Sequence, residues 1–329
     1  MVILDLKDKK LLVALSQNSR ASQAQIGKAI GISKSAIPYR INRLREAGII
    51  RRFITVVNLS AIGYSTYNVF FKLNATKERE DSVFHYFDQH PFVIWSCRFL
   101  GMWDFHVEVA AKDFRHFQNI LQDIVKELGD CLDDYRTHIA LDIFKVEHMP
   151  KHFVDEANIE ELKQPNRKWK ETVQLDVIER EILYALNQDA VAPLHVIAKN
   201  CGTSLDVVHY RMKKLYKEGV ILQYIPFVSL NKIGYNEYFC HAQLKHLGSE
   251  KNKSLKQYLT QHKNIKYSFR GASQLEVLFL LAVKGLHELD DLVREMKNLF
   301  GEYILDMQLH LITEQGNFTM FPDGLRKHI

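Results

Sequence analysis

The sequence predicts an α+β protein made of two tandem copies of one unit, each with three helices followed by a βαββαβ segment. The chain repeats itself at a fixed offset, the hydrophobic period within each copy changes from helical to strand-like, and glycines mark the boundaries. At 329 residues, with 47% hydrophobic and 25% charged residues, the chain has a globular composition and room for several domains.

The second copy begins 171 residues after the first. Asp5 aligns with Asp176, an offset of 176 − 5 = 171, which holds without a gap for about sixty residues. Further pairs, some after small shifts, are Gly31 with Gly202, Tyr39 with Tyr210, Arg40 with Arg211, Gly48 with Gly219, Gly101 with Gly271 and His138 with His310. A repeat of this length predicts a unit that buries its own core.

The first part of each copy predicts three helices with a tight turn before the last. In the first copy, Ser22 and Gln25 form a capping box at the start of the second helix, and Gly31 ends that helix. The third helix stops at Gly48 and is followed by "IIRRFITVVNL" (49–59), whose alternation predicts a small β-hairpin wing. This order predicts a winged helix-turn-helix.

Pro38 lies within the third helical pattern, where a proline costs about 3 kcal/mol if it is in the helix interior. If Ser35 rather than Ser33 caps the helix, Pro38 falls in the first turn, where its missing N–H costs nothing. The sequence therefore predicts either this later start or a local bend.

The hydrophobic period becomes strand-like from Tyr67 onward. The segments "YNVFFKL", "FVIWSCRF", "DFHVEVAA" and "YRTHIALDIFKVE" read as strands, with two amphipathic helices between them. This βαββαβ order is the ferredoxin-like plan, in which helices cover one face of an antiparallel sheet. We predict winged helix-turn-helix domains at 1–58 and 172–229, ferredoxin-like domains at 64–150 and 235–323, and a polar linker with a short helix at 151–171.

The third helix of each copy carries many basic residues. Alone, such a run is typical of a solvated helix face, but the preceding tight turn, the serines in the first turn and the basic wing favour DNA binding. A major groove admits one α-helix, and basic side chains neutralise phosphates. In the first copy we predict DNA contacts from Ser33, Lys34, Ser35, Tyr39, Arg40, Arg43, Arg51 and Arg52. We expect alanine at Arg40 and Arg43 to abolish binding and to leave the fold intact.

The second copy carries a different set of residues on the same helix. The candidates there are Ser204, His209, Tyr210, Arg211 and Lys214. Asp206, near the N-terminus of this helix, suits the helix dipole and repels phosphate. Two interpretations remain open: this copy reads DNA with other base preferences, or it serves as a scaffold. Two unlike reading heads predict an asymmetric operator.

These segments resemble the Lrp/AsnC family of transcription regulators. "LDLKDKKLLVAL", "IGISKSAIPYRINRLREAGII", "VNLSAIGY" and "GMWDF" match the family's layout in order and spacing, in both copies. The resemblance implies double-stranded DNA as partner, an amino-acid effector and association through the ferredoxin-like domains. Two fused copies form either an intrachain pseudo-dimer or a homo-oligomer with other chains.

The resemblance places the effector turn of the first copy at Gly101 and Asp104. An aspartate beside a turn of free backbone N–H groups can hold the ammonium and carboxylate of an amino acid. Equally, Asp104 fastens the β-turn and binds nothing else. The second turn reads "GASQLEV", and we place Gln274 opposite Asp104, which removes a charge and puts effector binding by this copy in doubt.

The alternative function comes from siroheme decarboxylases, which resemble this family and use paired domains. That resemblance implies a His-Asn-Tyr-x-Arg-like run on the second strand of the ferredoxin-like domain. The chain has "WSCRF" (95–99) and "YSFRG" (267–271), which keep Arg98 and Arg270 but lack the histidine and asparagine. We therefore expect a regulator, not an enzyme, with no catalytic residues.

Other site classes have little support in the sequence. The four cysteines lie far apart, which argues against a zinc or disulfide framework and fits a reducing cytoplasm. The histidines His85, His90, His106, His116 and His138 are scattered, which suits surface or packing roles, so we expect no metal and no cofactor. The sequence has no signal peptide and no membrane span, and we expect a cytoplasmic protein of net charge +5 without a membrane partner.

Overall fold

The computed structural model describes residues 3–159, 162, 170–271 and 276–327. The first copy contains α1 (Leu6–Gln17), α2 (Gln23–Ile30), α3 (Ala36–Glu46), β1 (Ile50–Val57), β2 (Ser65–Leu73), α4 (Lys77–Gln89), β3 (Val93–Leu100), β4 (Phe105–Ala111), α5 (Phe114–Leu128) and β5 (Leu132–Val146). After α6 (Lys151–Ala157), the second copy contains α7 (Val177–Gln188), α8 (Leu194–Asn200), α9 (Leu205–Lys217), β6 (Ile221–Val228), β7 (Asn236–Leu244), α10 (Ser249–Gln261), β8 (Ile265–Gly271), β9 (Glu276–Val283), α11 (Leu286–Phe300), β10 (Ile304–Phe318) and α12 (Asp323–Lys327).

We call the two helix-turn-helix domains the heads. Their helices begin and end at the capping residues. The Ser22 side chain accepts a hydrogen bond from the Gln25 N–H, and Gly31, with φ of 68°, ends α2 in the left-handed region. Helix α3 begins at Ala36, so Pro38 falls in its first turn. The predicted later start of this helix is confirmed, and the proline sits where it removes no hydrogen bond of the helix.

The predicted β-hairpin wing is wrong. Strand β1 has no hairpin partner in its own copy and pairs antiparallel with β6 of the second copy, with Phe53 opposite Pro226 and Ile54 opposite Ile225. Strand β1 buries six of its eight residues, including Phe53 and Ile54, so its backbone N–H and C=O groups need partners within the protein; β6 supplies them along one edge, and α3 and α7 pack against β1. This pairing joins the two heads directly.

Within the described residues, the sheets of the two copies close into one eight-stranded barrel in the order β10-β3-β4-β2-β5-β8-β9-β7. The 15-residue strands β5 and β10 make the closure, because each pairs with its own sheet along one half and with the other copy's sheet along the rest. The predicted fold class is confirmed. Of the two modes of association left open, the chain has the intrachain pseudo-dimer.

Hydrophobic residues form separate cores on the two sides of the barrel wall. Helices α4 and α5 cover one sheet around Phe71 and Phe105, and α10 and α11 cover the other around Phe279. A third cluster joins both copies inside the barrel: Phe70, Trp95, Cys97, Phe99, Trp103, Phe239, Phe269, Leu278 and Leu280. Both sheet faces are therefore buried, which explains the apolar strands.

The predicted linker begins with helix α6. Its Phe153 is buried, and Glu156 accepts a 2.6 Å salt bridge from Lys9 of α1. Residues 160–161 and 163–169 of the predicted linker lie outside the described residues. In the part of the chain that the structure describes, none of the helices combines the length and apolar character needed to cross a membrane.

Candidate nucleic-acid interface and effector turns

The arginines of α3 are bound to carboxylates of α1. Arg40 Nη1 lies 2.8 Å from Asp5 Oδ2 and 2.6 Å from Asp8 Oδ1, and Arg43 Nη2 donates to the other oxygen of Asp8. Asp8 is fully buried. Burial raises the pKa of Asp5, but hydrogen bonds from Arg40 and from the Asp8 N–H outweigh it, and the pKa is lowered from its usual value. These contacts fix the orientation of α3 relative to α1.

The second copy repeats this arrangement. Arg211 of α9 contacts Asp176 and lies 3.0 Å from Glu179 Oε1, while Lys214 Nζ lies 2.7 Å from the same oxygen. Glu179 is 1% exposed. We call the two sets of ion pairs the α1–α3 clamp (Asp5, Asp8, Arg40, Arg43) and the α7–α9 clamp (Asp176, Glu179, Arg211, Lys214).

The clamps give these four cations a structural contact that was not predicted from the sequence, and their contacts with DNA remain a prediction. The charged groups of all four side chains contact carboxylates of the same chain: Asp8 for Arg40 and Arg43, and Glu179 for Arg211 and Lys214. Removing Arg40 and Arg43 together leaves the buried Asp8 carboxylate without its cations, so we now expect this change to destabilise the fold as well.

The two arginines placed in the wing are also held by the chain. Arg51 donates to the Gln315 carbonyl, and its guanidinium lies 4.8 Å from the centre of the Phe227 ring. Arg52 donates to the carbonyls of Asn187 and Phe318, the latter at 2.8 Å. Both side chains tie β1 to the second copy, because β1 is part of the contact between copies rather than a free wing.

The remaining candidates form an exposed face on each head. In the first copy, Ser33, Lys34, Ser35 and Tyr39 are exposed, the two serine hydroxyls lie 3.1 Å apart, and Tyr39 is 69% exposed. In the second copy, Ser204, His209 and Tyr210 are exposed, and Ser204 also accepts a hydrogen bond from the Val207 N–H.

Two exposed residues on these faces were missed in the sequence. Asn42 follows Tyr39 by three residues and Lys213 follows Tyr210 by three, so each lies on the same helix face as the tyrosine. The i, i+3 spacing from the repeated tyrosine was the signal. We call the two surfaces the α3 face (Ser33, Lys34, Ser35, Pro38, Tyr39, Asn42) and the α9 face (Ser204, Leu205, Asp206, His209, Tyr210, Lys213).

The effector turn of the first copy is closed by its own aspartate. Asp104 Oδ2 accepts a 2.7 Å hydrogen bond from the Leu73 N–H, and the Asp104 N–H donates to the Phe71 carbonyl. Gly101 lies against His310 of the other copy: a Cβ there would be 2.7 Å from the His310 Nδ1, so only glycine fits without a shift. One oxygen of Asp104 thus fastens the turn.

The strand register changes the comparison of the two turns. Gln274 lies outside the described residues, and the register does not place it opposite Asp104. In the first copy, Phe71 of β2 pairs with Phe105 of β4. In the second copy, the equivalent residue Ala242 of β7 pairs with Val277 of β9. One residue earlier on β9 is Glu276, which therefore corresponds to Asp104. The second copy keeps a carboxylate at this position, and its turn has the same length, because Arg98 pairs with Phe105 in the first copy as Arg270 pairs with Val277 in the second.

Histidines from both copies meet inside the barrel. His138 Nδ1 lies 3.1 Å from Glu276 Oε2, and the His241 ring centre is 4.8 Å from that of His138. His106 and His310 lie within 5.0 and 6.3 Å of the Phe70 ring centre. Burial lowers the pKa of His106 to about 3 and the pKa values of His241 and His310 to about 4.

Arg98 and Arg270, the two arginines that match the decarboxylase motif, contact helices α4 and α10. Arg98 forms salt bridges with Glu80 at 3.3 Å and Asp81 at 2.7 Å, both on α4. Arg270 donates to Asn252 on α10. Both side chains are therefore held on the side of the sheet away from the barrel interior.

Comparisons with known proteins support the assignment of two helix-turn-helix domains. The family model for winged helix-turn-helix DNA-binding matches residues 4–51 and 175–221. The HTH-type transcriptional regulator FL11 of Pyrococcus furiosus is 31% identical over 144 residues, which are 44% of this chain and 93% of FL11. The leucine-responsive regulatory protein of Rhizobium meliloti is 28% identical over 146 residues, 43% of this chain and 90% of that protein.

A solved structure matches the whole chain in fold. The siroheme decarboxylase NirDL superposes with a TM-score of 0.62 over 98% of this chain and 96% of its own, at 14% identity. This likeness shows the tandem architecture alone. The two regulators, by contrast, match in sequence over most of their own length, and each match is shorter than the 171-residue repeat of this chain. The chain therefore belongs to the Lrp/AsnC family of DNA-binding transcriptional regulators, as a tandem duplication in a single chain.

Proposed function

We propose that the chain binds an asymmetric operator, with the α3 face reading one half and the α9 face reading the other. The observation that carries this proposal is that both faces remain exposed on helices that follow a tight turn, while the clamps hold each helix in place from behind. Residues at the N-terminal part of such a helix are the ones that reach base edges in the major groove.

The chemistry of the two faces supports unlike half-sites. The α3 face offers Lys34 and the amide of Asn42, which pairs with adenine in two hydrogen bonds. The α9 face offers His209 and Lys213, with Asp206 in its first turn. Because β1 and β6 are paired, the two heads present these faces at a fixed spacing.

The experiment selects duplexes from a random pool with the full chain and repeats the selection with variants. We expect a wild-type motif with two unlike halves. The variant Lys34→Ala/Tyr39→Ala should relax base preference in one half, and Tyr210→Ala/Lys213→Ala in the other. The positions are exposed, so the fold is unchanged.

The matched control is Lys77→Ala, an exposed lysine at the start of α4, which should select the wild-type motif. A motif with two identical halves would contradict the proposal that the α3 face and the α9 face recognise different half-sites. Loss of both halves in either double variant would contradict the division of labour between them.

An amino-acid effector is the finer part of the proposal, and its site is the turn of Gly101 and Asp104. Asp104 Oδ2 is occupied by the Leu73 N–H, which leaves Oδ1 to contact an ammonium group. A thermal-shift screen of the common amino acids tests this idea. One or a few should raise the melting temperature of the wild type and have no effect on Asp104→Asn, while a flat response across the set would contradict it.

The second candidate function is tetrapyrrole decarboxylation, favoured by the fold likeness to NirDL over the whole chain. The positions of Arg98 and Arg270 against α4 and α10 argue against it. Mixing the full chain with siroheme or didecarboxysiroheme separates the two candidates, because an enzyme of that class shifts the Soret band. We expect no shift.

A further inference from the structure

We propose that His138, His241 and Glu276 bind one divalent transition-metal ion of the zinc type inside the barrel. His138 comes from β5 of the first copy, and the other two come from β7 and β9 of the second copy. The proposal is independent of DNA binding.

The distances fit a shared ion. One candidate ligand atom from each residue lies within 4.8 Å of the other two. The His138 Nδ1 to Glu276 Oε2 distance is 3.1 Å and the His241 Nε2 to Glu276 Oε1 distance is 3.8 Å. Ligands 2.0–2.2 Å from a tetrahedral ion are separated by about 3.4 Å. The described residues contain no other group of three such side chains.

The His241 Nε2 is the second, independent observation. This nitrogen is buried without a hydrogen-bond partner among the described residues, and the whole residue is 7% exposed. Its 3.8 Å separation from Glu276 is too long for a hydrogen bond. A buried polar atom aimed at a carboxylate and a second imidazole is accounted for by an ion that all three contact.

The surroundings leave the imidazoles neutral and the carboxylate in place. Burial lowers the pKa of both His138 and His241, so each nitrogen keeps its lone pair near pH 7. Arg136 adds a positive charge that opposes metal binding and lowers both pKa values, and Asp306 partly offsets it at His241. A Cβ on Gly271 would lie 3.2 Å from Glu276 Oε2, so this glycine leaves room for the carboxylate.

Two imidazoles and one carboxylate are ligands that suit Zn²⁺, with a fourth position for water. The Glu276 side chain is 23% exposed, whereas those of His138 and His241 are 7% and 9% exposed. Glu276 therefore marks the side from which an ion enters.

The corresponding corner of the barrel lacks the set. By strand register, His138 corresponds to His310, His241 to Phe70 and Glu276 to Asp104. Phe70 offers no ligand, and Asp104 is turned to the Leu73 N–H. We therefore expect one ion per chain rather than two.

The test titrates chelator-treated full-length protein with Co²⁺, followed by its visible d–d absorption, and with Zn²⁺ by calorimetry. The wild type should bind one ion per chain with the absorption of a four-coordinate site, and the ion should raise the melting temperature. Glu276→Gln and His241→Gln should each weaken binding at least about 100-fold, since even residues behind a ligand cost 10–100-fold.

The matched control is Glu295→Gln, which makes the same change beside His262 at a surface pair 3.4 Å apart. It should leave both stoichiometry and affinity unchanged. Circular dichroism of the metal-free variants checks their fold, and if His241→Gln does not fold, the isosteric Glu276→Gln decides. The proposal is overturned by an absence of saturable binding, or by equal affinity in the wild type and Glu276→Gln.

Discussion

The two recognition helices differ where they face outward and agree where they face the chain. The clamps keep opposite charges at four aligned positions, and Arg40 and Arg211 are identical. On the exposed faces, Lys34 is replaced by Leu205 and Asn42 by Lys213. The two copies have thus kept the ion pairs that orient each helix, while the exposed positions of the helices have diverged.

The largest effect is expected at the clamps. Arg40→Ala/Arg43→Ala removes both cations from the buried Asp8, and Arg211→Ala/Lys214→Ala does the same to Glu179. Breaking a buried pair costs roughly 3–5 kcal/mol, and partial exposure of the cations places both variants near 3 kcal/mol. Urea denaturation of the two variants measures the loss.

The control on the same helix is Asn42→Ala, which is exposed and should change stability by less than about 0.5 kcal/mol. It should instead weaken DNA binding. Similar stability of Arg40→Ala/Arg43→Ala and Asn42→Ala would break the comparison, because the clamp would then contribute no more than a surface residue.

A smaller effect separates the two corresponding histidines of the barrel. Burial, with a contribution from His241, lowers the pKa of His310 to about 4, whereas an unfolded histidine titrates near 6.5. The unfolded chain therefore gains a proton first as the pH falls. Stability is fully present above pH 6.5 and is lost towards pH 4, by about 1.4 kcal/mol per pH unit for each such group.

His310→Leu should remove one such contribution from the pH dependence of the unfolding free energy, measured in urea on chelator-treated protein. His138→Leu should change the slope less, because Glu276 partly offsets burial and raises the pKa of His138 again. Equal slopes for the two variants would show that the two corners of the barrel are electrostatically alike.

The smallest effect concerns the salt dependence of DNA binding. Lys34→Ala and Lys213→Ala remove cations at different places on the two faces, and each should reduce the slope of log K against log salt by about 1. Lys77→Ala should not change the slope. A slope unaffected by either substitution would remove phosphate contact from that face.

Local sequence signals were enough to predict most of the fold. Capping residues such as Ser22 and Gly31, and the change of hydrophobic period near Tyr67, depend on neighbours in the chain, so helices and strands followed from them. The prediction of a hairpin wing failed because β1 pairs with β6, about 170 residues away in the sequence. No local sequence pattern distinguishes a hairpin strand from a strand that pairs at long range.

The candidate site was predicted less well because charge alone does not say which way a side chain turns. Arg40 and Asp5 are 35 residues apart and meet only after three helices pack. The signal was nevertheless present, since Asp176 and Arg211 repeat the pair at the same separation. A charge pair kept in both copies indicates a contact within the chain more than a contact with DNA.

The barrel histidines were beyond prediction from one copy. His138 meets His241 and Glu276 only because β5 crosses to the other sheet. The alignment that placed Gln274 opposite Asp104 also hid the carboxylate at Glu276, because it matched Gly101 with Gly271, whereas the strand register on both sides of the turn is shifted by two residues from that match.

Closure of the barrel by β5 and β10 makes the joining of the two sheets a unimolecular event. A barrel assembled from separate chains comes apart on dilution, whereas this one has an association that does not depend on concentration. The two heads of one chain are then held together at any concentration of the protein.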